Sequence, residues 1–85
     1  MVKVVMYTTA VCPYCIRAEQ LLHNKGVSEI EKIRVDLQPE LRAAMIEKTG
    51  RRTVPQIYIN GEHVGGYDDI AELSHDGTLD VLLSK

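Results

Sequence analysis

The sequence predicts an α/β fold, a four-stranded mixed sheet flanked by helices, on three observations. Strand-like apolar runs alternate with amphipathic stretches, the pattern of parallel strands joined by crossover helices. An Asn60-Gly61 pair separates two short strand-like runs, which is the strongest short-range signal for an antiparallel hairpin. Prolines and glycines stand at the boundaries between these stretches. The resulting order is β-α-β-α-β-β-α, with room for a short extra helix at the C-terminus. The chain has 85 residues and contains no repeat, low-complexity segment or linker, so one domain over 1–85 is expected.

Val2 to Tyr7 is apolar and β-branched nearly throughout, as a strand buried on both faces requires. A loop over Thr8 to Val11 leads to Cys12-Pro13, which reads as a helix start with Cys12 at the N-cap and Pro13 at the first helical position. Cys15, Ala18, Leu21 and Leu22 then fall on one helical face, and Gly26 is the expected stop. Ile30 to Leu37 supplies a second strand. A right-handed crossover makes it parallel to the first. Pro39-Glu40 opens a second helix with Leu41, Ala44 and Met45 as its apolar stripe, and Gly50 closes it. Pro55 holds Val54 extended. Gln56 to Ile59 is a third strand, and His63 to Val64 pairs back on it as a fourth. Gly65-Gly66 reads as a flexible joint. Asp68 and Asp69 introduce a helix carrying Ile70, Ala71 and Leu73. Asp76-Gly77 interrupts the chain before Leu79, Leu82 and Leu83, a last amphipathic turn or two.

Composition removes several classes of function. With 45% hydrophobic and 26% charged residues the chain is expected to fold as a soluble globule. The net charge is −2 and there is no long basic run, so no nucleic-acid partner is expected. The apolar runs are too short for a membrane span. No small-residue cleavage site follows the first strand, so no signal peptide is expected and the cytoplasm is the expected compartment. The two cysteines form a single CxxC. A structural zinc site draws four ligands, usually from two such pairs, and His23, His63 and His75 lack ligand-like spacing to the cysteines. No metal site is therefore expected. Structural disulfides are rare in a reducing cytosol, which leaves redox chemistry as the reading of this motif. The competing reading is a pair of inert buried cysteines.

Thiol–disulfide exchange needs a thiolate and a second thiol near enough to resolve the mixed disulfide. Cys12 at a helix N-cap faces the unsatisfied N–H groups of the first turn, and these and the helix dipole favour an anion. A free thiol has a pKa of about 8.5, which such settings lower to roughly 3.5–7.5. Cys15, one turn in, is expected to be more buried and to stay a thiol until needed.

Three motifs carry a family resemblance: CPYC at 12–15, TVP at 53–55 and GGYDD at 65–69. Together they resemble the signature motifs of dithiol glutaredoxins, and the likeness covers essentially the whole chain. It implies a thioredoxin-like fold and a glutathione-dependent oxidoreductase, expected monomeric, that reduces disulfide-containing or glutathionylated proteins. Cys12 and Cys15 would be catalytic. Thr53, Val54 and Pro55 resemble the loop in which the proline is cis and the Val54 backbone pairs with the cysteinyl part of glutathione. Gly66, Asp68 and Asp69 resemble the helix start that takes the γ-glutamyl end, with Asp69 preferred for the ammonium. On sequence alone both aspartates read as helix caps, a role compatible with the one the resemblance implies.

Tyr14 would flank the bound sulfur; the other reading is a partly exposed aromatic. Either Arg51 or Arg52 could meet the glycyl carboxylate, with Arg52 the nominated one. Arg17 stands one turn past Cys12, where it could aid the thiolate or simply be solvated. Many family members carry a lysine three residues before the first motif cysteine; Thr9 stands there in this chain, which removes one aid to Cys12 acidity. Two other functions fit a similar chain. One is an iron–sulfur cluster held between two protomers, although dedicated members usually carry CGFS. The other is a redoxin reduced by thioredoxin reductase, which has no need of the GGYDD site.

Overall fold

A computed structural model of the chain describes residues 2–84. Its elements are β1 (Val4–Thr8), α1 (Pro13–Asn24), β2 (Glu31–Arg34), α2 (Pro39–Thr49), β3 (Gln56–Ile59), β4 (Glu62–Gly65), α3 (Tyr67–His75) and α4 (Thr78–Leu83). The sheet order is β2-β1-β3-β4. β1 runs parallel to β2, with Val5 opposite Glu31, and antiparallel to β3, with Tyr7 opposite Gln56. β3 and β4 form the antiparallel hairpin. Asn60 and Gly61 close it with φ of 52° and 84°, the two left-handed residues that a tight hairpin turn of this hand demands.

Strand alternation sorts the core onto both faces of the sheet. Val4, Met6, Ile57 and Ile59 point to one side, where Ala18 and Leu22 of α1, Ile70 of α3 and Leu79 of α4 cover them. Tyr7 and Tyr58 point to the other side and meet Met45 of α2 and Val35. The expected stripe on α2 is partly revised. Met45 is buried and Leu41 packs on the cluster, but Ala44 is exposed and Ile46 packs in its stead. The larger side chain removes more apolar area from water, and the helix is rotated to favour it.

α1 stops where Gly26 predicts. Gly26 has φ of 94°, its N–H donates to the His23 carbonyl, and the Val27 N–H donates to the Leu22 carbonyl, both at 3.0 Å. This is the paired closure that a left-handed residue past the helix end permits. β2 is shorter than the expected span to Leu37. Val35 makes one more bond to the Thr8 carbonyl at 3.0 Å, and the chain then turns. Asp36 accepts two bonds from Arg34 at 2.7 Å and the Ala10 N–H at 3.2 Å. That carboxylate ties the loop ahead of Cys12 to the end of β2. Leu37 is left 67% exposed.

Gly65-Gly66, expected as a flexible joint, is a packed junction. Gly65 is buried with φ of 113°, and a Cβ there would lie 2.6 Å from the Asp69 Cγ. A Cβ on Gly66 would lie 3.1 Å from the Pro55 carbonyl oxygen. Glycine is needed here for close approach of backbone and side chain.

Candidate functional site

Three stretches distant in sequence build the site. The first is the start of α1. Cys12 is extended, with φ −149° and ψ 98°, and Pro13 opens the helix. The Cys12 Sγ accepts the Cys15 N–H at 3.1 Å, so the sulfur itself caps the helix. Cys12 and Cys15 are joined as a disulfide, with Cα atoms 5.2 Å apart. They are 8% and 4% exposed, the second only slightly the more buried. Tyr14 is exposed beside them. Its ring centroid lies 6.1 Å from that of Tyr67 and 5.5 Å from the Arg17 guanidinium carbon. Arg17 therefore sits over an aromatic face.

The second stretch is the loop before β3. The Val54–Pro55 bond is cis, as the resemblance implied. The Val54 carbonyl oxygen lies 3.8 Å from the Cys12 Sγ. The Val54 N–H makes no backbone hydrogen bond among the described residues, so this short extended segment has an edge free to pair. Gln56 follows, fully buried, and its amide nitrogen donates to the Thr53 carbonyl at 3.0 Å.

The third stretch is the start of α3. Its N-cap is Gly66, which has no side chain to offer. Asp69, three residues on, turns back and accepts the Gly66 N–H at 2.9 Å, half of a capping box. The same oxygen, Oδ2, accepts from Arg51 Nη1 at 2.6 Å. The Gly66 N–H and then the Arg51 guanidinium hold the Asp69 carboxyl below its ordinary range. His63, on the neighbouring strand, is pushed below its ordinary 6.5 by burial first and by Arg51 second, against an opposing pull from Asp69.

These stretches enclose a groove of about 330 Å³. Tyr14, Thr53, Val54, Pro55, Gly66, Asp68 and Asp69 all stand on its wall. Arg52 does not; its carbonyl accepts from Arg42 Nη2 at 3.0 Å, and Arg51 lines the groove instead. Gln56 and Tyr67 also line it. Neither is among the residues singled out from the sequence; the place of Tyr67 inside the GGYDD motif is the signal that would find it, whereas nothing in the sequence marks Gln56. Among the described residues, no group of three or more His, Cys, Asp or Glu side chains is placed to share a metal ion. Among the same residues, no helix is long and apolar enough to cross a membrane.

The sequence model of the glutaredoxin family matches residues 4–64. The chain is 57% identical over 84 residues to a glutaredoxin of Pseudomonas aeruginosa, across 99% of both chains. It is 47% identical over 83 residues to glutaredoxin 3 of Escherichia coli, across 98% of this chain and 99% of that one. Among solved structures, a buckwheat glutaredoxin–glutathione complex superposes with a TM-score of 0.90 at 32% identity, covering 98% of this chain and 77% of that one. A Brucella melitensis glutaredoxin superposes at 0.86 with 52% identity, covering 98% and 89%. The thioredoxin-like architecture expected from the motifs is therefore the one observed. With sequence, fold and the place of its cysteine pair in agreement, the chain belongs to the glutaredoxin family and is a thiol–disulfide oxidoreductase with Cys12–Cys15 as its redox pair.

Proposed function

We propose that this oxidoreductase draws its electrons from glutathione and reduces glutathionylated and disulfide-containing proteins, acting as a monomeric single domain over 1–85 in the cytoplasm. One observation carries the reading: beside the Cys12 sulfur, one groove gathers an unpaired backbone edge at Val54, a helix start whose N-cap, Gly66, has no side chain to cover its first N–H groups, and a cation, Arg51. Glutathione presents a peptide middle, two carboxylates and an ammonium, which those groups complement. In this reading the Val54 backbone pairs with the cysteinyl residue. The first N–H groups of α3 take the γ-glutamyl carboxylate. The bonds that Asp69 makes fall on Oδ2, which leaves Oδ1 to face the ammonium. The glycyl carboxylate falls to the Arg51–Arg52 pair, of which Arg51 already stands on the wall.

The chemistry follows from the pair. With a glutathione mixed disulfide, the Cys12 thiolate attacks the glutathionyl sulfur. A bond from Cys12 to glutathione forms, the original S–S bond breaks, and the released thiolate takes up a proton. A second glutathione thiolate attacks the bound glutathionyl sulfur, leaving oxidised glutathione and the Cys12 thiolate. With a protein disulfide, Cys12 bonds one sulfur and the other leaves as a thiol. Cys15 then loses its proton and attacks the Cys12 sulfur, the second thiol departs, and the Cys12–Cys15 disulfide remains. One glutathione thiolate attacks the Cys12 sulfur and frees Cys15, a second attacks the bound glutathionyl sulfur, and the two leave joined as oxidised glutathione with the dithiol restored.

The test is reduction of a glutathione mixed disulfide, with glutathione and glutathione reductase supplying electrons. Cys12→Ser is expected to abolish turnover. Cys15→Ser is expected to keep it, because glutathione resolves the intermediate, and to lose reduction of protein disulfides that need both thiols. Equal loss in both variants contradicts the mechanism.

A further inference from the structure

We infer that His63 is a positioning residue for the 53–55 loop, holding it through the buried amide of Gln56. The tie is a chain of three residues, Thr53 in the loop before β3, Gln56 at the start of β3 and His63 on β4. Gln56 is 0% exposed and lies on the same sheet face as Tyr58 and His63. Its Nε2 sits 3.0 Å from the Thr53 carbonyl and 3.4 Å from the Thr53 hydroxyl. Its Oε1 sits 2.8 Å from His63 Nε2.

The chemistry of these atoms fixes the direction of every bond. A carbonyl oxygen only accepts, so the Gln56 atom facing Thr53 is the nitrogen. The atom facing His63 is then the oxygen, which only accepts as well. His63 Nε2 therefore carries the proton, and Nδ1 of the neutral ring does not. The ring is steadied by Tyr58, whose centroid is 5.1 Å away. No other rotor in the chain of bonds is free: turning the amide over would set oxygen against the Thr53 carbonyl. The Thr53 carbonyl thus sets which way the Gln56 amide faces, and His63, on the sheet-edge strand β4, holds its other end in place. Gln56 in turn holds the residue just ahead of Val54, whose carbonyl lies 3.8 Å from the Cys12 sulfur. The helix start that Cys12 caps is not part of this chain of bonds.

A buried amide that loses one partner is free to tilt, and Thr53 and Val54 move with it. The consequence lies in substrate binding at the Val54 edge, not in the acidity of Cys12. This rests on the glutathione reading above, so the wild-type protein serves as the control for it. His63→Phe keeps a ring on Tyr58 and removes the N–H; His63→Gln restores a donor of similar reach. In the glutathione mixed-disulfide assay, His63→Phe is expected to raise KM roughly ten-fold, the worth of one hydrogen bond, with kcat within about two-fold. The pH midpoint of Cys12 alkylation by iodoacetamide is expected to stay in place. His63→Gln is expected to restore KM. In a Gln56→Met background, His63→Phe is expected to add nothing further, since the two residues act as one unit.

An unchanged KM in folded His63→Phe, no rescue by His63→Gln, or multiplying effects in the double variant overturns the proposal. Should the variants not fold, the wild-type protein still decides it. Its ring nitrogen NMR shifts are expected to show neutral His63 protonated at Nε2, and a proton on Nδ1 contradicts the relay. A wild-type protein inactive with glutathione overturns the glutathione reading, whereas the tautomer reports on the relay alone.

Discussion

In the glutathione reading a single side chain of the groove serves fold and binding at once, and Asp69 shows how to separate the two. As a cap it accepts the Gly66 N–H; as a charge it pairs directly with Arg51. The ion pair is half-exposed, so its own contribution to stability is about 0–1 kcal/mol, while loss of the cap costs about 0.5–2 kcal/mol. Asp69→Ala is expected to lower glutathione-dependent turnover about ten-fold to a hundred-fold, with reduction by a small uncharged dithiol nearly unchanged. Equal losses with both reductants, in a variant whose circular dichroism is native, would leave Asp69 as a cap only. His63 gives a second test through pH. Its ring is faced by Arg51, Asp69, Gln56 and Tyr58, and burial and Arg51 together depress its pKa. Folding therefore favours the neutral ring. The stability this brings is full above 6.5, its ordinary value, and is lost as pH falls through the lower folded value. Between about pH 7 and about pH 5, the denaturant midpoint should fall further in the wild type than in His63→Gln. Parallel declines would mean that His63 contributes no such dependence.

Elements were legible in the sequence wherever a boundary is set by local backbone chemistry. Cys12-Pro13, Gly26, Gly50 and Asn60-Gly61 each act through φ or a missing N–H, and each stands where the sequence placed it. The failures have tertiary causes. The roll of α2 that buries Ile46 over Ala44 depends on what the sheet offers opposite, and the early end of β2 depends on Asp36 reaching Ala10. Arg51 and Arg52 were indistinguishable because they are neighbours in an irregular stretch. The contact that separates them is with Asp69, 18 residues away. Gln56 carries no motif at all; its role exists only because a hairpin returns His63 to its side chain. The junction of β4 and α3 was misread for a similar reason, since Gly65 looks flexible until Asp69 is packed against it. Gly65→Ala is expected to destabilise the protein by about 1–3 kcal/mol, through the left-handed φ and the displaced Asp69 together. An urea midpoint at the wild-type value would show that this junction has slack.

At the scale of the whole molecule, the sheet brings three separate stretches to one place. β1 is central, so the loop leaving it carries Cys12 next to the loop entering its neighbour β3, which carries Val54. β4 pairs on β3 and delivers α3 to the same end, so Asp69 completes the groove. The core on either side of the sheet holds these loops in register, which is why three motifs separate in sequence (12–15, 53–55 and 65–69) come together at one end of the sheet. The central claim is that this site connects the Cys12–Cys15 pair to glutathione. The most direct measurement equilibrates the protein with buffers of reduced and oxidised glutathione and reads the fraction of Cys12–Cys15 disulfide. A couple built to exchange with glutathione in both directions should sit at about −200 to −230 mV, and a value near −270 mV, the poise of thioredoxin, would contradict the account.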